Sequence, residues 1–372
     1  MRIAIFFDLP SGGASRTMEE IIRILGKHHD VSIYHDPKSF PQMPITPRLF
    51  FDLESILFQR WKQKKLAKQI DAQKYDVVFV SHDRHSQSPM ILRFLHTPSV
   101  FLCQEPTRAY YEEFLRIDPK LPLPNKIYEK LNRYFRKRIE ITNANYASKI
   151  VANSRYSVES IFRAFGINAT PIHLGIDPKE YFQEKTHKKN QVVVVGNNEP
   201  QKDLILAVCS VAHVAKKYRP TLIIASPRDS DMTKIIKTAK KLQVKLKIMV
   251  GLDQDSLRKI YNQSKLTLAL AHLEPFGLSV IESLACGTPV VAVNEGGFKE
   301  TVIDGKTGVL ADRDSQQIAK IIESLILDKK YLFEMGKRGI RDVNKRFTWA
   351  ITVEKLEKVF HETKTKNRRH HS

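Results

Sequence analysis

The densest run of residues able to do chemistry is Glu274-Pro275-Phe276-Gly277-Leu278-Ser279-Val280-Ile281-Glu282, continuing through Gly287 and Pro289. An apolar, strand-like segment precedes it, and a helical pattern opens near Gly277. A helix N-terminus presents unpaired backbone N–H groups and the positive end of the dipole, so a glycine turn at that point suits a phosphate. Phe276, Gly277, Leu278 and Ser279 are therefore candidate contacts to a phosphate-bearing ligand. Glu282 follows Leu278 by four residues, on the same helical face and about 6 Å further along. A carboxylate there can take both hydroxyls of a ribose, while Glu274, on the turn before the helix, faces the opposite end of the ligand. Taken singly, Glu282 is more often an ordinary helix acid and Gly277 an ordinary turn. The combination carries the reading.

A second candidate lies at the start, where Pro10-Ser11-Gly12-Gly13-Ala14 forms a glycine loop between the first apolar run and the first helical pattern. Backbone at Gly12 and Gly13 can approach a ligand closely there. His82 and His85 follow the third apolar run and are candidates to line an acceptor cleft, although a lone histidine is more often a surface loop residue.

These residues need elements to hold them. Short apolar, β-branched runs recur with helical patterns between them, the pattern of parallel strands joined by crossover helices. The first half has runs at 3–7, 31–34, 76–81, 99–103, 149–153 and 171–174, and the second at 192–196, 221–225, 246–250, 266–271, 289–293 and 308–311. Two sets of strands imply two Rossmann-like sheets in an α/β chain, consistent with a length of 372 residues, beyond what one core usually serves. The polar stretch Gln183 to Asn190 is composed as a linker. The boundaries are read as a first domain over 1–178, a second over 190–349, a last helix over 350–366 packing back on the first domain, and a disordered polar tail over 367–372. The segment 39–70 interrupts the rhythm with Phe40, Pro41, Pro44 and Pro47, then an amphipathic run containing Ile56, Leu57, Phe58, Trp61 and Leu66. Its plainer reading is a helix packed on its own sheet with solvated lysines.

The formal charge is +21, which calls for an anionic partner or surface. It divides almost evenly between the halves, with two denser islands: Arg60, Lys62, Lys64, Lys65 and Lys68, and Lys126, Lys130, Arg133, Arg136, Lys137 and Arg138. Neither island carries a recognisable nucleic-acid module, so nucleic acid is not the expected partner. Cys103, Cys209 and Cys286 are far apart and form no metal-ligand or disulfide pattern, which fits a reducing cytoplasm. No apolar run approaches the roughly 18 residues that span a bilayer.

The stretch from Glu274 to Val290 resembles the family-four retaining glycosyltransferases, whose hallmark is two glutamates separated by seven residues and followed by Gly-x-Pro-Val; Glu274, Glu282, Gly287, Pro289 and Val290 match in register. Gly296-Gly297-Phe298-Lys299-Glu300, Asp304 to Gly308, Val151 to Ser157, Gly175-Ile176-Asp177 and Phe347-Thr348-Trp349 are similar to further family segments. The resemblance implies the GT-B fold, with two Rossmann-like domains facing each other across a cleft and a C-terminal helix crossing back to the first domain. It implies a nucleotide-sugar donor bound by the second domain, retention of configuration and no obligatory metal or other cofactor. It makes Lys202 the donor-phosphate lysine, with Asn197 or Asn198 where an arginine is common; Arg16 or Arg155 could supply the second cation. Many relatives carry a histidine where this chain has Gln104, which assigns sugar contact to Gln104 or its neighbour Glu105. The pattern Glu105-Pro106-Thr107-Arg108-Ala109-Tyr110 resembles mannosyltransferase-like members, which places Arg108 toward the acceptor and leans the donor to GDP-mannose, with UDP-hexoses open.

The expected partners are thus a nucleotide sugar and a glycan or lipid-linked acceptor, with an anionic membrane surface on the inner face of the plasma membrane as a further one. A catalytically silent nucleotide-sugar-binding subunit and a nucleic-acid binder are the alternatives.

Overall fold

The structure is a computed structural model. It describes all residues except 10, 11, 36–51, 53, 54, 56, 57, 113, 114, 371 and 372, and only the backbone of 366–370. The chain forms two compact units, Met1–Ile172 with Val353–Ser372, and His173–Thr352.

Unit 1 alternates β1 (Arg2–Phe6), α1 (Gly13–Leu25), β2 (Asp30–Tyr34), α2 (Gln59–Ala72), β3 (Val77–Val80), β4 (Ser99–Leu102), α3 (Leu123–Ala144), β5 (Lys149–Ala152), α4 (Arg155–Phe165) and β6 (Thr170–Pro171). Its strands lie in the order β2-β1-β3-β4-β5-β6, all parallel. Every residue of β3 and β4 is buried, as a parallel sheet covered on both faces requires. Leu66, Ala67 and Ile70 of α2 join this core, while Phe58 and Trp61 remain exposed. The plainer reading of the second half of segment 39–70, a helix packed on its own sheet, matches this; residues 39–51 lie outside the described ones. The strand expected at 171–174 is confined to Thr170–Pro171, beyond which Ile172 N–H still donates to Ala152 O at 2.7 Å.

Unit 2 follows with β7 (Gln191–Val195), α5 (Leu204–His213), β8 (Thr221–Ser226), α6 (Thr233–Lys241), β9 (Leu246–Val250), α7 (Gln254–Gln263), β10 (Leu266–Ala269), α8 (Leu278–Ala285), β11 (Val290–Val293), α9 (Phe298–Thr301), β12 (Gly308–Ala311), α10 (Ser315–Leu327) and α11 (Lys329–Arg346). Its parallel sheet runs β12-β11-β10-β7-β8-β9. Asp203, Asp253, Asp314 and Asp328 each cap a helix through a side-chain oxygen, satisfying N–H groups that have no partner within the helix.

The polar stretch 183–190 is bound to unit 2. Glu184 N–H donates to Asn262 Oδ1 at 2.7 Å, Lys188 Nζ to Thr288 Oγ1 at 2.6 Å and Ser264 O at 2.8 Å, and Arg258 pairs with Glu184 at 2.9 Å. Composition reads as linker here because the bonds run to distant partners. The segments by which the chain enters and leaves unit 2 touch: Ile176 N–H donates to Phe347 O at 2.9 Å. A Cβ at Gly175 would meet the Thr348 carbonyl carbon at 2.2 Å.

The last helix, α12 (Trp349–His370), places most of its length in unit 1. Phe360 packs edge-on against Phe79 of β3 at 5.3 Å, and His29–Glu357, Lys149–Glu362 and Lys364–Asp76 tie its sides. Helix continues to His370, past the point where composition reads as disordered, and Thr363 is itself buried with its hydroxyl on Val359 O. Among the described residues no helix is long and apolar enough to cross a membrane.

Candidate functional site

In an open parallel sheet, ligands bind beyond the carboxyl ends of strands where the strand order reverses. Unit 2 reverses between β7 and β10, and unit 1 between β1 and β3. Several of the candidate residues stand in the loops leaving these strands; Gln104, Glu105 and Arg108 follow β4, and Glu282 lies within α8.

After β7 the chain makes a short helical turn, Pro200–Lys202. The aliphatic part of Lys202 lies on Gly196, where a Cβ would meet the lysine chain at 3.2 Å. Its ammonium reaches Glu274 Oε2, in the loop after β10, at 2.9 Å. Two residues 72 positions apart thus pair across the switch point, both partly open to solvent.

The turn into α8 is made by Gly277, at φ 93°, a conformation that disfavours any side chain. A Cβ there would also strike the Phe298 ring at 2.8 Å. The Gly296-Gly297 turn closes against the same loop: Gly297 N–H donates to Glu274 O at 2.7 Å, and a Cβ at Gly297 would meet Pro275 O at 2.3 Å. The position of Glu274 is therefore set by backbone packed on backbone. Leu278 and Ser279, half-buried, form the first turn of α8.

Two of the candidates are buried. Phe276 is 2% exposed and its ring packs with His173 at 5.8 Å and Phe347 at 5.7 Å. Glu282 is 3% exposed, and its Oε2 accepts a hydrogen bond from Tyr261 at 3.0 Å. Burial, reinforced by the neighbouring carboxylate, pushes the Tyr261 hydroxyl well above its ordinary range, so it stays a donor. Tyr261 escapes a reading of the sequence because its only signal, an aromatic in an amphipathic helix, is that of any core residue.

Around this loop, Arg313 clamps Glu295 with two bonds of 2.9 and 2.7 Å and reaches Asp203 at 3.0 Å and Leu270 O at 2.8 Å. It secures the strand ends. Asn197 is buried and donates to Glu199 at 2.9 Å. Glu199 in turn pairs with Arg228, from the loop after β8, so a guanidinium stands beside the position where Asn197 lacks one. Arg16 and Arg155 belong to α1 and the start of α4 in unit 1.

In unit 1, Gly12 precedes α1 with extended backbone, and a Cβ added there would meet nothing within 4 Å. Neither conformation nor space demands glycine at that position; Gly13 is the first residue of α1, and Pro10 and Ser11 lie outside the described residues. His82, read as more often a surface residue, is buried, and burial lowers its pKa to about 4. Its carbonyl accepts from Asp8 N–H at 3.4 Å, and Asp8 pairs with Arg84 at 3.0 Å, joining the loops after β1 and β3. His85 Nδ1 meets Ser55 Oγ at 2.8 Å.

After β4, the Gln104 backbone carbonyl accepts from Ser157 Oγ at 2.8 Å, while the side-chain Nε2 is buried with no hydrogen-bond partner among the described residues. Arg108 pairs with Glu112 at 2.8 Å and lies 3.7 Å from Glu105. Beneath this loop is an acid that the sequence does not single out. Glu140 of α3 accepts from Thr107 Oγ1 at 2.6 Å and Gln87 N–H at 3.2 Å, and burial raises its pKa to about 7. Asp83, also raised by burial, accepts from Gln63 and from the backbone of His85 and Ser86.

Two family models match the chain: "Glycosyltransferase Family 4" over residues 11–180 and "Glycosyl transferases group 1" over 177–342. The chain is 32% identical over 203 residues to a D-inositol 3-phosphate glycosyltransferase from Segniliparus rotundus, covering 53% of this chain and 43% of the relative. It is 27% identical to a glycogen synthase from Mycobacterium tuberculosis, over 46% and 42%. The matches span less than half the length of these curated relatives. Among solved structures, a sucrose-phosphate synthase from Thermosynechococcus elongatus superposes with a TM-score of 0.74 at 16% identity, covering 97% of this chain and 98% of the other. The Anabaena protein HepE in complex with UDP and glucose gives 0.73 at 18%, covering 97% and 100%. With the two family models together reaching from residue 11 to 342, and with two parallel sheets of the GT-B kind, the chain belongs to the family-four, group 1 glycosyltransferases.

Proposed function

We propose that the chain is a retaining hexosyltransferase that moves a sugar from GDP-mannose or a UDP-hexose to a glycan or lipid-linked sugar, in the synthesis of cell-surface polysaccharide or glycolipid. The observation that carries this reading is the Lys202–Glu274 pair at 2.9 Å, set across the switch point beside the N-terminus of α8. A diphosphate at those helix amides competes with Glu274 for the ammonium. Lys202 then neutralises the departing phosphates as charge builds, and Glu274 is left to accept hydrogen bonds from sugar hydroxyls. Glu282, held by Tyr261, serves the ribose. Leu278 and Ser279 contribute backbone amides, as do Gly277 and, from unit 1, Gly12 and Gly13. The Gln104 amide donates to the transferred sugar with Glu105 beside it, and His82 and Arg108 line the acceptor region. No metal is required, because lysine and helix amides carry the charge stabilisation.

HepE is known in complexes with UDP and with UDP-glucose, which gives the uridine series equal standing with GDP-mannose. Relatives named for D-inositol 3-phosphate are precedent for a phosphorylated acceptor, and the charge of +21 suits one, or an acceptor presented at an anionic membrane.

The test is calorimetric titration with GDP, UDP, GDP-mannose and UDP-glucose, with and without EDTA. Binding of one nucleotide series, unaffected by EDTA and weakened roughly 10- to 150-fold in Lys202→Ala, is the expected result, since a charged hydrogen bond contributes about 1.5–3 kcal/mol. Binding of neither series removes the proposal. The second reading, a silent sugar-nucleotide-binding subunit, draws on Asn197 and Gln104 in place of the arginine and histidine. It predicts the same titrations with no turnover of the bound sugar nucleotide in any acceptor screen.

A further inference from the structure

Helix α3 turns an apolar face to solvent. Leu123, Ile127, Leu131, Tyr134 and Phe135 are 69, 50, 53, 55 and 52% exposed. They sit at i, i+4, i+8, i+11 and i+12, and so form one stripe along the helix. The residues it buries include the acids Glu129 and Glu140, so the outward face is the more apolar of the two. That is the reverse of an ordinary amphipathic surface helix.

Lys126, Lys130 and Arg133 each precede a stripe residue by one position, and Lys137 continues their spacing, which makes a parallel basic row along one flank. Beside that row lies a groove of about 400 Å³ whose lining includes Arg116, Lys130, Arg133, Lys137 and Tyr111, with Glu112 as its one acid. The Tyr111 hydroxyl is buried and has no hydrogen-bond partner among the described residues.

The other basic island adjoins the same frame. Asp52, shortly before α2, accepts from Tyr128 at 2.6 Å, Asn132 at 2.9 Å and Arg136 at 2.7 Å, all on α3. Along α2, Arg60, Lys62, Lys64, Lys65 and Lys68 accompany Trp61, which is 69% exposed, with Phe58 just before the helix at 58%.

We infer that the outward face of α3, with the adjoining part of α2, is a docking surface for an anionic lipid bilayer: the apolar stripe enters the headgroup boundary and the flanking cations meet lipid phosphates. A second copy of the chain is disfavoured as the occupant, because it would set one basic row against another. An apolar stripe edged by lysine and arginine, with an exposed tryptophan nearby, is the chemistry that lies in a membrane interface. Each cation near such a surface raises partitioning about fivefold. The inference deepens the proposal of a membrane-presented acceptor and rests on it only for its purpose.

The full chain is sedimented with phosphatidylcholine vesicles and with vesicles also containing phosphatidylglycerol, at low and high salt. Binding to the anionic vesicles only, weakening with salt, is expected. Ile127→Glu/Leu131→Glu, at two exposed positions, should lower it at least tenfold while leaving the melting temperature and nucleotide titrations unchanged. Indifference of the wild-type chain to anionic lipid overturns the inference. So does undiminished binding by the double variant, or complete displacement by millimolar inorganic phosphate, which would make the groove a site for a soluble anion. Nucleotide titration is read separately: vesicle binding without nucleotide binding removes the transferase proposal and keeps the docking surface, and the converse removes the docking surface alone.

Discussion

The two switch points are built by different means. In unit 2 the loops after β10 and β11 are locked by glycines with no room for a side chain: Gly277 against the Phe298 ring, Gly296 against Glu274 O and Gly297 against Pro275 O. In unit 1, Gly12 stands in open space, and the loops after β3 and β4 are held by buried titratable side chains, Asp83 and Glu140, with His82 buried between β3 and the turn that follows. One site leans on close backbone packing, which has no proton to lose, with Arg313 tying Glu295 and Asp203 around it. The other is specified by a polar network whose stability depends on protonation.

The largest expected effect falls on the backbone-specified side. Gly297→Ala should destabilise by more than about 3 kcal/mol in urea denaturation, because a Cβ 2.3 Å from Pro275 O forces the loop apart. A variant as stable as wild type would break the contrast.

The network side should show itself in pH. Glu140 is raised from 4.5 to about 7, so its contribution is fully present below pH 4.5 and is lost as pH rises through 7, on the order of 3 kcal/mol. His82 is lowered from 6.5 to about 4, so its contribution is present above pH 6.5 and is lost as pH falls toward 4, by a similar amount. The two slopes oppose each other over the shared window. Glu140→Gln should therefore leave melting temperatures that climb from pH 4 to 6.5, and His82→Gln ones that decline from pH 4.5 to 7. Parallel profiles for both variants would remove the network account.

A smaller loss, about 2 kcal/mol, is expected for Tyr261→Phe, which withdraws the hydroxyl from the buried Glu282 carboxylate. If Glu282 also serves a ribose, nucleoside diphosphate affinity falls with it; unchanged affinity would confine the pair to a structural role. Smallest of all, Gly12→Ser should change stability by no more than about 0.5 kcal/mol, since serine suits a helix N-cap and nothing crowds the site.

Legibility in the sequence follows the same division. The reading of Glu274 and Lys202 depends on a motif and on strand-end position, and both residues stand in the loops that leave the reversing strands. That Phe276 and Glu282 are buried was not legible, because helical spacing says which residues share a face but not which face turns inward. Glu140 and Tyr261 give no local sign. Each acts through partners far along the chain, Thr107 and Gln87 for the one and Glu282 for the other. The stretch 183–190 looks like linker for the same reason.

The residues alone determined the alternation of buried parallel strands with helices, the two-sheet organisation and the positions of the glycine turns, since strand burial and left-handed backbone leave local marks in residue type. Tertiary structure decided which strands became neighbours, hence where each sheet reverses. It also decided which carboxylates lost their water, and that the apolar stripe of α3 faces outward. Burial and pairing are properties of what lies across the fold, and no local pattern in the chain encodes them.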